Sequence, residues 1–223
     1  MAGQARPVIE EGRRKIAPLE ARIRQHPYLQ ALEAKEVDRG KLRIFAGQQR
    51  HIIESDLRSV SLAVTRSESQ ATRDFFIGML QGERAALAAL EPFGRALGLS
   101  AEELRAAEPL PGSFAYSAYV AWLALYASPA EFAGAFLVNL EAWGANCGRI
   151  SRALTAGYGL SAQEVAFFDL FAVAPPGFEE QALAVVEEGL AQGLDPGRIH
   201  RAARMLQGYE LLYWDTMLDA TRG

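Results

Sequence analysis

The chain has 223 residues, half of them hydrophobic and 22% charged, with 23 basic against 27 acidic side chains and a formal charge of -4. A chain of this length can bury a core without staples, and its acidic balance argues against nucleic acid as a partner, because neutralising phosphates takes a basic stripe. One Cys and three His exclude a disulfide framework and a zinc site of the Cys/His type.

The N-terminal residues MAGQARPVIEEGRRK contain no apolar run that could serve as a signal-peptide core. The longest apolar stretches, such as 132–140, are too short to span a bilayer. With Cys147 as the lone cysteine, a reducing cytoplasm is the expected compartment, and no membrane partner is expected. Basic residues early in the chain alternate with Glu10, Glu11, Glu20, Glu33 and Glu36, which reads as a solvated helix face carrying ion pairs.

Taken in chain order, nearly every segment shows helical period, and strand alternation is absent. The spacing predicts helices over 7–25, 40–66, 69–97, 100–107, 113–127, 129–156, 161–173, 178–192 and 196–220. His26-Pro27 marks a break, with Pro27 suited to a first helical turn. Capping boxes are expected at Ser100/Glu103, Ser128/Glu131 and Ser161/Glu164, and Asp195-Pro196 opens the last helix. Residues 108–112 and 174–177 read as loops, neither long nor polar enough to link domains. The expectation is one all-α domain over 1–223, with long helices packed lengthwise around a polar pocket.

Four constellations could carry chemistry. Phe45, Gln49 and Ile52 share a helix face, with Gln48, Ile52 and Asp56 on the neighbouring one and His51 between; an amide beside an apolar stripe can hydrogen-bond a heterocycle. Tyr116, Tyr119 and Trp122 form an aromatic stripe that becomes a stacking wall if its helix faces a cavity. Glu141 follows the run 132–140, in which Asn139 is the only polar side chain. An acid in such a place either points out past the helix edge or faces inward, protonated or paired, with Trp143 and the small Gly144, Ala145 and Gly148 beside it; the inward placement is the expectation taken here. Finally, Glu210 stands between Tyr209 and Tyr213, one turn before Trp214, where aromatic surroundings can raise a carboxyl pKa and fit it for acid/base work.

No metal set emerges: His26, His51 and His200 are scattered, and His51 with Glu54 makes only one pair. Neither a Gly-rich phosphate loop nor a strand-to-helix nucleophile elbow is present.

Four stretches in order along the chain resemble the heme-oxygenase-like helical superfamily that includes TenA (thiaminase II), PqqC and non-heme di-iron oxidases. They are His26-Pro27-Tyr28-Leu29 with 41–54; Glu83 with 91–100; Glu141 with Leu154, 158–161 and Phe167-Phe168; and 209–215. The last resembles the TenA C-terminal signature, with Glu210 at its catalytic acid. The chain also departs from these patterns. Gln49 stands where TenA has an acid, and either Glu141 or Asn139 stands where it has a cysteine. Phe171, Pro175 and Phe178 stand where the di-iron branch has His, Asp and His.

The resemblance implies a compact TenA-like bundle that binds a small ring-containing molecule, without a metal or other cofactor. Glu210 and Glu141 would be its catalytic carboxyls. Gln49, Phe45, His51, Tyr119, Trp143, Tyr209 and Trp214 would contact the ligand. A homo-oligomer, dimer or tetramer, is implied on the same ground. Two further readings stay open: a non-catalytic ligand-binding or partner protein, and a di-iron oxidase with unusual ligands, which would draw on Glu83 and Glu141.

Overall fold

The computed structural model describes residues 3–222. The described residues form helices α1 (Ala5–Arg24), α2 (Pro27–Glu33), α3 (Leu42–Arg66), α4 (Gln70–Ala96), α5 (Ala101–Arg105), α6 (Pro111–Tyr126), α7 (Pro129–Tyr158), α8 (Ala162–Ala172), α9 (Phe178–Ala191) and α10 (Pro196–Arg222), with a 3-10 turn at Arg39–Lys41 and no strand among them. None of these helices is long and apolar enough to cross a membrane.

The expected caps form. Ser100 and Ser128 each accept from the backbone N–H three residues on, while Glu103 and Glu131 accept from the serine N–H. Glu164 accepts from both the N–H and the hydroxyl of Ser161. Such caps satisfy N–H groups that the first helical turn leaves without partners. One element was not anticipated. Pro27 starts the short helix α2, because the His26 ring accepts the Tyr28 N–H at 3.2 Å and so caps it. Seven residues are too few to show a reliable period, so α2 was legible only as a break.

The chain buries two apolar clusters. One gathers Tyr28, Phe45, Phe93, Phe167, Phe168, Tyr213 and Trp214. The other gathers Phe75, Phe76, Val120, Phe132, Phe136, Ile199 and Leu206. Each large side chain so buried contributes about 1.5–3 kcal/mol from removed apolar surface. Tyr116 on α6 packs against both clusters. Between α3, α7 and α10 this junction gathers the buried polar side chains Gln49, Asp56, Asn139, Gln207 and Glu210.

Gly144 permits a close approach that shapes this region. A Cβ there would stand 2.6 Å from the Phe171 carbonyl oxygen, so the glycine lets α8 lie against α7 and brings the Phe171 ring to the junction.

Candidate active site

Two joined chambers lie at the junction. The inner one, about 50 Å³, is lined on α3 by Gln49, Ile52, Ile53 and Asp56, and on α7 by Phe136, Asn139, Leu140 and Trp143. Both sets follow the spacing i, i+3, i+4, i+7, so each is a single helix face. Glu83, Tyr116, Phe171, Glu210 and Tyr213 complete the wall. The outer chamber, about 320 Å³, shares Glu83, Phe136, Leu140 and Phe171 with the inner one and opens between α4 and the 173–176 segment. Together they reach the size of a small-molecule site, roughly 300 Å³ and above.

A hydrogen-bond chain crosses the inner chamber. The Tyr116 hydroxyl donates to Asn139 Oδ1 at 3.1 Å. Asn139 Nδ2 donates to Gln207 Oε1 at 2.9 Å and to Glu210 Oε2 at 2.6 Å. Trp214 Nε1 donates to Glu210 Oε1 at 3.0 Å. Nearby, Gln49 Nε2 donates to the Tyr213 hydroxyl at 2.8 Å. Glu210 is only 2% exposed. Burial pushes its carboxyl up to about 8, against the opposing pull of the Trp214 and Asn139 donors. The group therefore holds a proton near neutrality yet lies within reach of losing it.

Two more acids share the wall. Burial lifts Glu83 to about 7. Burial, and then the neighbouring Glu83 carboxyl, raise Asp56 well above the usual carboxylate range. Burial also raises the Tyr116 and Tyr213 phenols well above their ordinary value, so both remain neutral donors.

The sequence-predicted residues divide. Glu210, Gln49 and Trp143 line the inner chamber. Trp214 stands behind Glu210 and holds it. Phe45 is packed into the aromatic cluster, near Tyr28, Phe93, Phe168 and Trp214, and lines neither chamber. His51 turns its Nε2 to the Ala107 carbonyl, outside the chambers. Tyr119 and Tyr209 pack on each other, centroids 5.1 Å apart, away from both chambers. The i, i+3 aromatic stripe therefore splits: Tyr116 turns inward, while Tyr119 lies against Trp122 on the flank.

Glu141 does not face inward as expected and lines neither chamber. Its side chain is 49% exposed and pairs with Arg13 Nε at 3.1 Å and Arg24 Nη2 at 3.2 Å on α1. The apolar run before it does make α7 buried on nearly every side, but at Glu141 the helix surface passes under the edge of α1. Two guanidinium groups there receive the acid without burying it. Asn139, two residues earlier, is the polar group of α7 that meets Glu210. Asp56, Glu83, Tyr116 and Asn139 were not chosen as ligand contacts. Asp56 stands seven residues after Gln49, two turns along one face, which is the signal that could have found it.

A di-iron centre does not fit these residues. Glu141 is turned outward, Glu83 lies in the chambers, and no His lines either chamber. Among the described residues no three His, Cys, Asp or Glu side chains converge as ligands. Cys147 is buried in the core and lines neither chamber, and burial and then the nearby Glu210 carboxyl push its thiol well above the ordinary value, so it stays protonated.

No curated protein sequence matches. Among solved structures, a TenA homologue from Pseudomonas syringae pv. tomato superposes with a TM-score of 0.81 at 12% identity, over 94% of this chain and 92% of that one. A TenA homologue from Pyrococcus furiosus gives 0.74 at 16% identity, over 94% and 99%. A Shewanella denitrificans domain with a heme oxygenase-like fold gives 0.73 at 15%, over 94% and 90%. At such identities the likeness establishes the fold, which is heme-oxygenase-like. The profile of the TENA/THI-4/PQQC family matches residues 13–170, a span that includes α3, α4, α6 and α7 of the chamber wall but stops before Glu210. That match covers well over half of the sequence, and the chain belongs to the TENA/THI-4/PQQC family.

Proposed function

We propose that the protein binds a small ring-containing organic molecule across the two chambers and transforms it with Glu210 as the proton donor and acceptor. The observation that carries this reading is the Glu210 carboxyl, buried at the chamber wall, held by Asn139 and Trp214, and raised to about 8. A general acid is most effective when its pKa lies near the working pH. The two donors occupy two of roughly four lone-pair sites on the carboxylate, which leaves capacity for a proton. Trp143, Phe136 and Phe171 supply apolar faces for a ring, and Gln49 and Tyr213 supply neutral polar contacts.

The test is in two parts. Saturation-transfer NMR with a panel of pyridines and pyrimidines should find binders to the wild type, and Trp143→Ala should weaken them. Mass spectrometry of incubated binders should then show a product that Glu210→Gln no longer forms. Binding without any product would favour the non-catalytic reading. That reading has one observation on its side: Asn139 and Gln49 are amides, which cannot exchange a proton near neutrality.

We also propose that the protein is a homo-oligomer. The outer face of α6 exposes Phe114, Trp122, Leu125 and Tyr126, the last 68% exposed. The Trp122 and Tyr126 rings lie 5.9 Å apart on this face, and exposed apolar patches mark association sites. Sedimentation should give a dimer or tetramer that charged substitutions at Trp122 and Tyr126 dissociate; a monomer at micromolar concentration would end the proposal.

A further inference from the structure

The bond chain of the inner chamber carries two mismatches. Both oxygens of Glu210 accept, Oε1 from Trp214 and Oε2 from Asn139, which is the pattern of a carboxylate. Yet burial lifts this group to about 8, and a protonated carboxyl needs an acceptor for its O–H, which the pattern does not offer. Gln207 supplies the second mismatch. Its side chain is 0% exposed, its Oε1 accepts from Asn139 Nδ2 at 2.9 Å, and its Nε2 is enclosed without a partner among the described residues. A buried donor left this way weakens the fold, and native structures keep few of them. Gln207 lines neither chamber, so a ligand in the chambers does not complete it.

One rearrangement answers both. The oxygen and nitrogen ends of an amide are nearly the same size, so Asn139 and Gln207 can each turn over in place without repacking. Turned, the Asn139 oxygen faces α10 and accepts the Glu210 O–H and a Gln207 N–H together. The Asn139 nitrogen then faces Tyr116, whose hydroxyl oxygen accepts in place of donating. Gln207 is left with an unpartnered carbonyl instead of an unpartnered N–H, which interiors tolerate better. An ionised Glu210 rejects this arrangement, because an amide oxygen would face a carboxylate, and the bonds described above return. The far end of the chain feels the difference. The Tyr116 hydroxyl borders the inner chamber and donates to Asn139 at 3.1 Å. Once it accepts from Asn139, its own proton is free to point into that chamber.

We propose that protonation of Glu210 turns the Asn139 and Gln207 amides over and so releases the Tyr116 hydroxyl as a second donor into the inner chamber. Gln207 is thereby a positioning residue, acting on the chamber only through Asn139. The proposal rests on the reading of Glu210 as the acid and deepens it, since the acid and the second donor are present together. Other charges do not turn the amides. Glu20 and Arg24 of α1 act on the Glu210 carboxyl, and Asp56 and Glu83 border its chamber, but among the described residues none of them bonds to Asn139 or Gln207. Burial keeps the neighbouring Cys147 and Tyr213 neutral.

NMR of the unliganded, isotope-labelled protein tests this without any activity. Above the Glu210 titration midpoint, the Asn139 side-chain NH2 protons should cross-relax most strongly with the γ-protons of Gln207 and Glu210. Below it, they should do so with the Tyr116 ring. The Tyr116 ζ-carbon should shift with the same midpoint, and in Asn139→Leu, which has no amide to turn, it should no longer follow Glu210. Contacts of the Asn139 NH2 group that stay the same on both sides of the midpoint would overturn the proposal and leave Glu210 as the acid. A Tyr116 response of equal size in Asn139→Leu would do the same, because it would act through space. Titration of Glu210 in the ordinary carboxylate range would overturn both readings. If Asn139→Leu does not fold, the wild-type contacts decide alone.

Discussion

The Asn139 amide of α7 donates to the Glu210 carboxylate of α10 at 2.6 Å, and the same nitrogen donates to Gln207 one turn earlier on α10. Asn139 also accepts from Tyr116 on α6, so one side chain ties three helices to the chamber. Replacing it by leucine keeps the volume and removes every one of these bonds. Because the partners stay buried, Asn139→Leu should destabilise the fold by about 1–3 kcal/mol. It should also raise the Glu210 carboxyl further, since one of the two donors that oppose burial is lost. Urea unfolding and carbon NMR of the labelled glutamate carboxyls read the two effects separately. Unchanged stability would mean that the bond chain is not formed.

The chamber acids give stability a particular pH dependence. Glu210 and Glu83 have folded pKa values of about 8 and about 7, above the ordinary 4.5, and Asp56 is raised as well. The folded chain thus binds these protons more tightly than the unfolded chain. Below the ordinary carboxylate range both states are protonated, and nothing changes. As pH rises through the ordinary range and on to about 8, the unfolded chain releases its protons first and stability falls, by about 1.4 kcal/mol for each tenfold difference in proton affinity. Carboxylates held low by capping and ion pairing, such as Glu33, Glu103 and Glu164, act on the acid side of this window. Urea midpoints measured across the window should fall with pH, and Glu210→Gln should flatten the fall. A wild type equally stable at both ends would contradict the burial of these acids.

The fold was legible because helical period and caps are local. Ser100, Ser128 and Ser161 announce their helices within four residues, and Asp195-Pro196 opens α10 where expected. The site was harder to read because it is set by which face of each helix turns inward. Glu210 could be picked out from its aromatic neighbours in sequence, since Trp214 one turn on is the residue that holds it. Asn139 is legible in sequence only as the one polar residue of an apolar run and as one of two candidates for a single position, because its partners Gln207 and Tyr116 come from distant segments. Glu141 looked buried for the mirror-image reason: Arg13 and Arg24, which keep it at the surface, precede it by more than a hundred residues.

That placement makes Glu141 a clean contrast to Glu210. Its pairs with Arg13 and Arg24 are half-exposed and screened, and such pairs are worth about 0–1 kcal/mol. Glu141→Gln should shift unfolding by no more than that and leave ligand binding as it is. A loss of binding with the fold intact would return Glu141 to the site and put the orientation of this stretch of α7 in error.

Two glycines should respond to alanine in opposite directions. Gly208 lies mid-way along α10 with nothing within 4 Å of an added Cβ, so Gly208→Ala should stabilise by about 0.5–1 kcal/mol through helix propensity alone. Gly144 gains the same propensity, but its Cβ would meet the Phe171 carbonyl oxygen at 2.6 Å, and backbone cannot swing aside as a side-chain tip can. Helix α8 must shift outward, at a cost of about 1–3 kcal/mol for overpacking, which exceeds the gain. The Phe171 ring, edge-on to Trp143 at 5.9 Å and shared by both chambers, would shift with it. Gly144→Ala should therefore lower the unfolding free energy, alter Trp143 fluorescence and weaken whatever ligand the chambers hold. A Gly144→Ala protein as stable as Gly208→Ala would show that α7 and α8 do not approach as described, and the wall between the chambers would have to be redrawn.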